Sequence, residues 1–410
     1  MTARRTIAMV AACPFPHPRG TPIRIHRMAE TLARRGHDVH VVTYHLGQPI
    51  ADPPFTIHRI RRVPSYRRTI AGPTYQKLLV VDPLLALKLR SVLRRHEFDL
   101  IHAHHHEGML VALAARPQGT PVVFDVHTLV ESELPYYRLG LFAAVKRRIG
   151  RVLDRRLARR ADHVVAVTDE IRSQLIARGA VAPDRVSVIP NGVECEPFAA
   201  APRPPRAGCA GPRRLIFAGN LAAYQGIHLL LEAFRTLLDT RRDVRLMVAT
   251  EDSFAPYERL ASGLGVREFI DVRCCGFDQV PALLAASEVA LNPRVACDGL
   301  PQKLLNYLAA GTPVVSFAGS AKHIVEGEHG LVVEDGDTAT FARAIGRVLD
   351  DPELADRLGN NGRELVRSRM SWDATTREVE AVYDRLLSEA DRGRGSRAAL
   401  PGSRHAEDER

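Results

Sequence analysis

The stretch DGLPQKLLNYLAAGTPVV, Asp298 to Val315, decides how the chain is read. Polar groups come first, at the mouth of a turn: Asp298, Gly299, then Gln302 and Lys303 just after Leu300-Pro301. A short helix follows, with Leu304, Leu305 and Leu308 at core spacing, and it ends at Gly311. Thr312-Pro313 then feeds an apolar strand. A Pro at the first helical position leaves the N–H groups of Gln302 and Lys303 without intrahelical partners. Those groups, the positive end of the helix and the Lys303 ammonium together form an anion site. Taken alone, the pattern fits any loop that opens a helix in an α/β sheet. The flanking sequence narrows it.

Strand-like and helix-like stretches alternate on both sides. IAMVAAC (from Ile7), VHVVTY (from Val39), LIHAH (from Leu100), VVFDVH (from Val122), HVVAVT (from His163) and VSVIP (from Val186) read as buried parallel strands. The series halts in a segment rich in Pro, Gly and Ala, and resumes with RLIFAG, VRLMVAT, DVRCCGF, VALNPR, PVVSF and GLVVE. Two such series predict an α/β protein of two doubly wound, Rossmann-like domains facing a cleft, with ligands beyond the carboxyl ends of the strands. The expected boundaries are a first domain over 1–195, a linker over 196–212 and a second domain over 213–371. A helix over 372–390 is expected to return to the first domain, and 391–410 to be a disordered tail.

The 410 residues suffice for two or three domains, and 45% apolar with 25% charged residues is an ordinary globular composition. No apolar run has the length of a membrane span. The six cysteines show no Cys-x-x-Cys spacing, which argues against a metal or disulfide framework and for a reducing cytoplasm. A formal charge of +10 favours anionic partners. Nucleic acid is not expected, because no basic run is interleaved with base-stacking aromatics.

The Asp298–Val315 stretch resembles the donor-diphosphate loop of the retaining, family 4 glycosyltransferases of the GT-B architecture, in the bacterial form with a P-x-K loop. The resemblance extends over roughly residues 5 to 390. It implies transfer of a sugar from a nucleoside-diphosphate donor to a hydroxyl acceptor, a lipid-linked or polysaccharide precursor of the cell envelope. It also implies retention of anomeric configuration, no metal and no cofactor beyond the nucleotide-sugar co-substrate. On it, Gly20 stands in the glycine loop after the first strand. His127, at the end of VVFDVH, stands as a hydrogen-bond donor to a sugar hydroxyl or leaving phosphate. Asp298 keeps the carboxylate that faces the sugar, and Lys303 meets the diphosphate. Gly299, Leu300, Pro301 and Gln302 line the donor loop, Asn306 takes the ribose position, and the backbone at Gly276 and Phe277 holds the base. Arg24, Glu131 and Glu133 are the acceptor candidates. His127 also reads as a core-edge histidine and the glutamates as exposed groups near a helix start.

Two departures matter. Where the family carries Arg and Lys after the first strand of the second domain, this chain has Asn220 and Gln225. Charge-assisted contacts are about twice as strong as neutral ones, so a second reading stands beside the first: a catalytically weakened GT-B subunit that binds a glycan or nucleotide in a biosynthetic complex. The histidines at 102, 104, 105 and 106 invite a metal, with alternation placing His102, His104 and His106 on one strand face, but such runs occur in the family without one. Asp335-Gly336-Asp337 reads as a turn in which Asp337 caps the next helix. Finally, Ala143–Arg160 places Val145, Ile149, Val152, Leu153 and Leu157 on one face of a helix otherwise crowded with arginine. That suits an anionic membrane surface, and equally a packed helix with a solvated Arg face. The expected location is the cytoplasm, with peripheral attachment to the inner face of the membrane if that helix docks.

Overall fold

The computed structural model describes residues 3–17, 20–67, 74–137, 142–201, 211–297 and 299–398. The chain divides into two units: Met1–Ala166, Arg172–Ser187 and Thr376–Arg410 form the first, Val167–Ile171 and Val188–Thr375 the second.

The first unit is built on seven strands: β1 Thr6–Ala11, β2 Asp38–Thr43, β3 Thr56–Arg59, β4 Leu100–His104, β5 Val122–Val126, β6 His163–Ala166 and β7 Val186–Val188. Their order is β3-β2-β1-β4-β5-β6-β7. Pairing from β3 through β6 is parallel. The six expected apolar runs are all strands here. The seventh, β3, is an edge strand of sequence TIHR, partly exposed, and its polar alternation hid it from a search for apolar runs. The second unit has six: β8 Arg213–Ala218, β9 Val244–Thr250, β10 Ile270–Cys274, β11 Val289–Asn292, β12 Val314–Phe317 and β13 Leu331–Val333. They are ordered β10-β9-β8-β11-β12-β13 and all paired parallel. Parallel strands covered on both faces need continuous apolar runs, and β8, β9 and β11 bury nearly every residue.

Strand order reverses between β1 and β4 in the first unit and between β8 and β11 in the second, and such points open a crevice at the carboxyl ends. Gly20 follows β1, His127 follows β5, Asn220 and Gln225 follow β8, and Gly299 follows β11, whereas Gly276 and Phe277 follow the edge strand β10.

Two boundaries differ from expectation. The supposed linker 196–212 begins as a helix, Glu196–Ala199, whose Phe198 is buried in the second unit's core. Val193, just before it, donates its backbone N–H to Met370 O at 2.9 Å. The last helix, Trp372–Ala398, runs eight residues past the expected end, into the segment read as a tail. From Thr376 it belongs to the first unit, where Glu380 accepts from Arg35 at 2.8 Å and lies 2.9 Å from His37, and Tyr383 OH lies 2.5 Å from His102 Nδ1. Residues 399–410 lie outside the described residues.

Candidate active site

In the second unit the helix Gln302–Ala310 starts one residue later than the sequence suggested, with Pro301 as its N-cap residue rather than its first helical one. Leu304, Leu305 and Leu308 are buried as expected. Tyr307, fully buried, both donates to Ala218 O at 3.1 Å and accepts from Ala218 N at 2.8 Å. Those two bonds register the helix against the carboxyl end of β8. Gly311, at φ 63°, closes it in the left-handed conformation that a Cβ disfavours.

Lys303 projects from the first turn of this helix. Its ammonium lies 4.3 Å from the centre of the Phe217 ring and donates to Gln225 Oε1 at 2.7 Å. Gln225 Nε2 in turn donates to Asn220 Oδ1 at 3.1 Å. Asn220 and Gln225 therefore orient the Lys303 ammonium. Gly226 fixes their turn: it sits at φ 74°, and a Cβ there would meet Pro293 O at 2.1 Å. Burial, then the nearby Arg294 guanidinium, lowers Lys303 to about 7. Among the described residues no carboxylate pairs with either cation. Arg294 stacks on Tyr224, 4.8 Å from the ring centre.

The remaining donor candidates divide. Asn306 is buried and its Oδ1 has no hydrogen-bond partner. Gln302 is engaged elsewhere, donating to Gly192 O at 3.0 Å. Leu300 is a core residue, and Gly299 O faces Cys297 Sγ at 2.9 Å. Phe277 is exposed, edge-on to Phe198, with Gly276 just before it. Asp298 lies outside the described residues. Asp337 accepts from Thr340 N at 2.9 Å and caps the next helix, while Asp335 accepts from Gly319 N at 2.8 Å, so that pair is structural.

The first unit gathers its polar groups around a carboxylate the sequence reading passed over. Asp125, fully buried on β5, accepts from Arg24 Nε at 2.8 Å and Nη2 at 3.2 Å. His102 Nε2, His104 Nδ1 and His127 Nε2 surround it at 3.4, 3.3 and 3.7 Å. Burial alone would raise Asp125, yet Arg24 and these imidazoles hold it well below the usual carboxylate range. A charged residue inside VVFDV, an otherwise apolar buried strand, was the available signal. Arg24 is thus 1% exposed and committed to the interior, not placed on an acceptor surface.

His127 touches Thr21 Oγ1 through Nδ1 at 2.9 Å, so Thr21, in the first turn of the helix that starts at Gly20, holds the imidazole. Burial pushes His127 down to about 4, against the pull of Asp125. It is neutral at pH 7 and able to donate one hydrogen bond. His102 and His104 share a face, stacked 4.3 Å apart. His106 does not join them, because the strand ends at His104 and His105 turns the chain at φ 63°. Behind this turn Lys77, paired with Glu107, is a second buried ion pair that no motif announced. Glu133 lies 3.5 Å from His105 Nε2, and Glu131 is taken by Arg151 at 2.7 Å and Arg178 at 2.8 Å.

Residues 18–197 match the model of Glycosyltransferase Family 4, and residues 212–351 that of Glycosyl transferases group 1. The chain belongs to the glycosyltransferases. It is 28% identical over 415 aligned positions to the MMP alpha-(1->4)-mannosyltransferase of Mycolicibacterium hassiacum, covering 93% of this chain and 98% of that one. It is 26% identical to the phosphatidyl-myo-inositol mannosyltransferase of Mycobacterium leprae, covering 93% and 97%. Among solved structures, sucrose-phosphate synthase from Thermosynechococcus elongatus superposes with a TM-score of 0.75 at 20% identity, over 94% of this chain and all of that one. The glycosyltransferase fold here is GT-B, and its family 4 portion carries the Asp125 cluster while its group 1 portion carries Lys303.

The basic helix Ala143–Arg160 packs by an unexpected face. Lys146, Gly150, Asp154, Leu157 and Ala158 are buried. Asp154 caps the Val130–Glu133 helix, accepting from Val130 N at 2.9 Å and Glu131 N at 3.1 Å. Gly150 allows the close approach, since a Cβ there would lie 2.5 Å from Glu131 backbone. Val145, Ile149 and Val152, on the face that suited either a membrane or a packed core, are 43%, 39% and 42% exposed.

Proposed function

We propose that the protein is a retaining, metal-independent glycosyltransferase that moves a hexose from a nucleoside diphosphate to a hydroxyl of a lipid-linked or polysaccharide precursor at an anionic membrane surface. The observation that carries this reading is the pair of cations Lys303 and Arg294 with no carboxylate partner among the described residues. Two like charges near one another in a partly buried site are stabilised by an anion, and a sugar-linked diphosphate offers two negative charges.

In the reaction the bond from the sugar C1 to the diphosphate oxygen breaks and a bond from C1 to the acceptor oxygen forms. Lys303 and the first-turn N–H groups stabilise the charge that develops on the leaving diphosphate. The acceptor's proton passes to that departing oxygen, which makes a separate general base unnecessary. His127, neutral and oriented by Thr21, is assigned a hydrogen bond to a hydroxyl, and Asn306 Oδ1 is assigned to accept one from a ribose hydroxyl. Where a metal-dependent site presents carboxylates to magnesium, this one presents an ammonium. Turnover is therefore expected to persist in EDTA, measured as nucleoside diphosphate released from a panel of UDP-, GDP- and ADP-hexoses with a membrane lipid extract as acceptor. Activity that vanishes in EDTA and returns with magnesium or manganese contradicts the metal-independent reading. Retention is checked on the same product by the anomeric coupling in its NMR spectrum, which should match that of the donor.

The outward row Val145, Ile149 and Val152, beside exposed Arg147, Arg148, Arg155 and Arg156, supports the membrane part. No helix among the described residues is long and apolar enough to cross a membrane, so docking by this face would be peripheral. Co-sedimentation is expected with vesicles containing anionic lipid and not with neutral ones, each basic side chain contributing about 1 kcal/mol. Reversing those four arginines to Glu should abolish it while the fold persists. Arg151 is left alone because it pairs with Glu131. Unchanged sedimentation of the reversed variant would remove the membrane from the account.

A further inference from the structure

We infer that His40, His58 and His96, on the flank of the first unit's sheet, form a binding site for a divalent transition-metal ion of the zinc class. His40 lies in β2, His58 in the neighbouring edge strand β3, and His96 just after the helix Asp82–Leu93. One ring nitrogen from each falls within 4.8 Å of the others. His40 Nδ1 and His58 Nε2 are 3.0 Å apart. The ring centroids stand 5.1 Å apart for His40 and His58, 4.8 Å for His40 and His96, and 6.1 Å for His58 and His96. Imidazoles bound tetrahedrally at about 2.0 Å place their ring centroids about 5 Å apart. The observed separations bracket that value. His40 is buried, His58 half-buried and His96 exposed, so the two outer rings can adjust while the inner one stays fixed.

A further feature distinguishes this cluster from histidines packed only on one another. His40 Nε2 lies 3.2 Å from Asp38 Oδ1. A carboxylate on the far nitrogen sets the tautomer, holding the proton on Nε2 and leaving the Nδ1 lone pair directed at His58. That arrangement, a ligating imidazole whose other N–H is held by a carboxylate, orients metal ligands and raises their basicity. Phe98, edge-on to His40 at 5.1 Å, fixes the ring from the other side. Lys88 and Arg95 stand near His58, so long-range charge does not draw a cation here; coordinate bonds from three nitrogens would hold it. With three imidazoles and a fourth position open to water, the site takes zinc, cobalt or nickel in preference to the oxygen-seeking magnesium or calcium.

The site lies on β2 and β3, separated in the sheet by β1 and β4 from β5, which carries Asp125 and ends just before His127, and its role would be to clamp the edge strand β3 to β2 and to the turn at His96. Two other groups, His102 with His104 and Asp125, and His105 with His106 and Glu133, also bring ligand atoms together, so the test must separate them. The full chain is stripped with chelator, dialysed and titrated with cobalt(II), followed by the intense visible bands of a tetrahedral complex and by competition with zinc. One equivalent is expected to give those bands. His96→Ala removes an exposed ligand and should weaken binding at least about tenfold, and Asp38→Asn by roughly 10–100-fold, whereas His105→Ala should bind as the unaltered chain does. Near-ultraviolet circular dichroism confirms that each variant is folded. Zinc should also raise the melting temperature of the unaltered chain and not that of His96→Ala. The inference is overturned if the unaltered chain shows no tetrahedral bands, if they survive in both His96→Ala and His58→Ala, or if His105→Ala abolishes them.

Discussion

Lys303→Met is expected to lower kcat/KM for the nucleotide sugar by about 10²–10³, the usual effect of removing one group that stabilises the leaving charge. Methionine keeps the stem over the Phe217 ring and removes only the ammonium, so the fold should be retained. Gln225→Ala deletes the amide that orients that ammonium and leaves the charge, and about tenfold is expected. A pH profile separates charge from packing. With its free value lowered to about 7, Lys303 loses its proton as pH rises through that value, while a bound diphosphate diester, which does not titrate between pH 7 and 9, favours the charged form. Donor affinity should therefore fall above pH 7, by at most tenfold per unit, and Lys303→Met should show no such slope. Equal kinetics for Lys303→Met and Gln225→Ala would remove Lys303 from the diphosphate.

The second large effect lies in the first unit. Asp125→Asn leaves the Arg24 guanidinium buried without its carboxylate, and breaking one side of a buried pair costs about 3–5 kcal/mol. For a unit of roughly 200 residues that is a fall of about 6–20 °C in the melting transition. By contrast, Glu364→Gln breaks an exposed pair with Arg367, its two side chains 58% and 71% exposed, and should change stability by no more than about 0.5 kcal/mol. The sign of the pH effect also follows. Asp125 is held well below its unfolded value, so its contribution is complete above about pH 5 and is lost progressively as pH falls below that. A destabilisation of Asp125→Asn that is constant from pH 5 to 8 is the expected result. Little or no loss would mean that the Arg24 cluster adjusts in a way its burial does not suggest.

The architecture was legible because parallel strands covered on both faces must be apolar along their length. Twelve apolar runs were visible, and the strand that escaped, Thr56–Arg59, is an edge strand whose polar alternation its position tolerates. The helix Ala143–Arg160 shows where periodicity misleads. Its apolar row is real, but the face that packs is chosen by a small residue, Gly150, and by a cap, Asp154, and neither carries weight in a hydrophobic pattern. The helix Gln302–Ala310 was legible as a loop-to-helix junction, down to the lysine on its first turn. What no motif held was Arg294 beside that cation, and the way Gln225 and Asn220 line up to hold Lys303, since both depend on the turn at Gly226 bringing separate segments together. Asp125 was visible in principle, as a charge in an apolar strand, but a histidine two residues on drew the attention that the carboxylate warranted.

Binding of the donor alone tests the central claim most directly. Calorimetric titration of the unaltered chain and of Lys303→Met with UDP-, GDP- and ADP-hexoses, in EDTA at pH 7, is expected to show saturable binding of at least one donor and to lose most of that affinity in the variant. At about 100 times the dissociation constant that donor should also stabilise the unaltered chain by about 2.7 kcal/mol. If no nucleotide sugar binds, or if one binds equally well with and without the Lys303 ammonium, the account of the donor site is wrong.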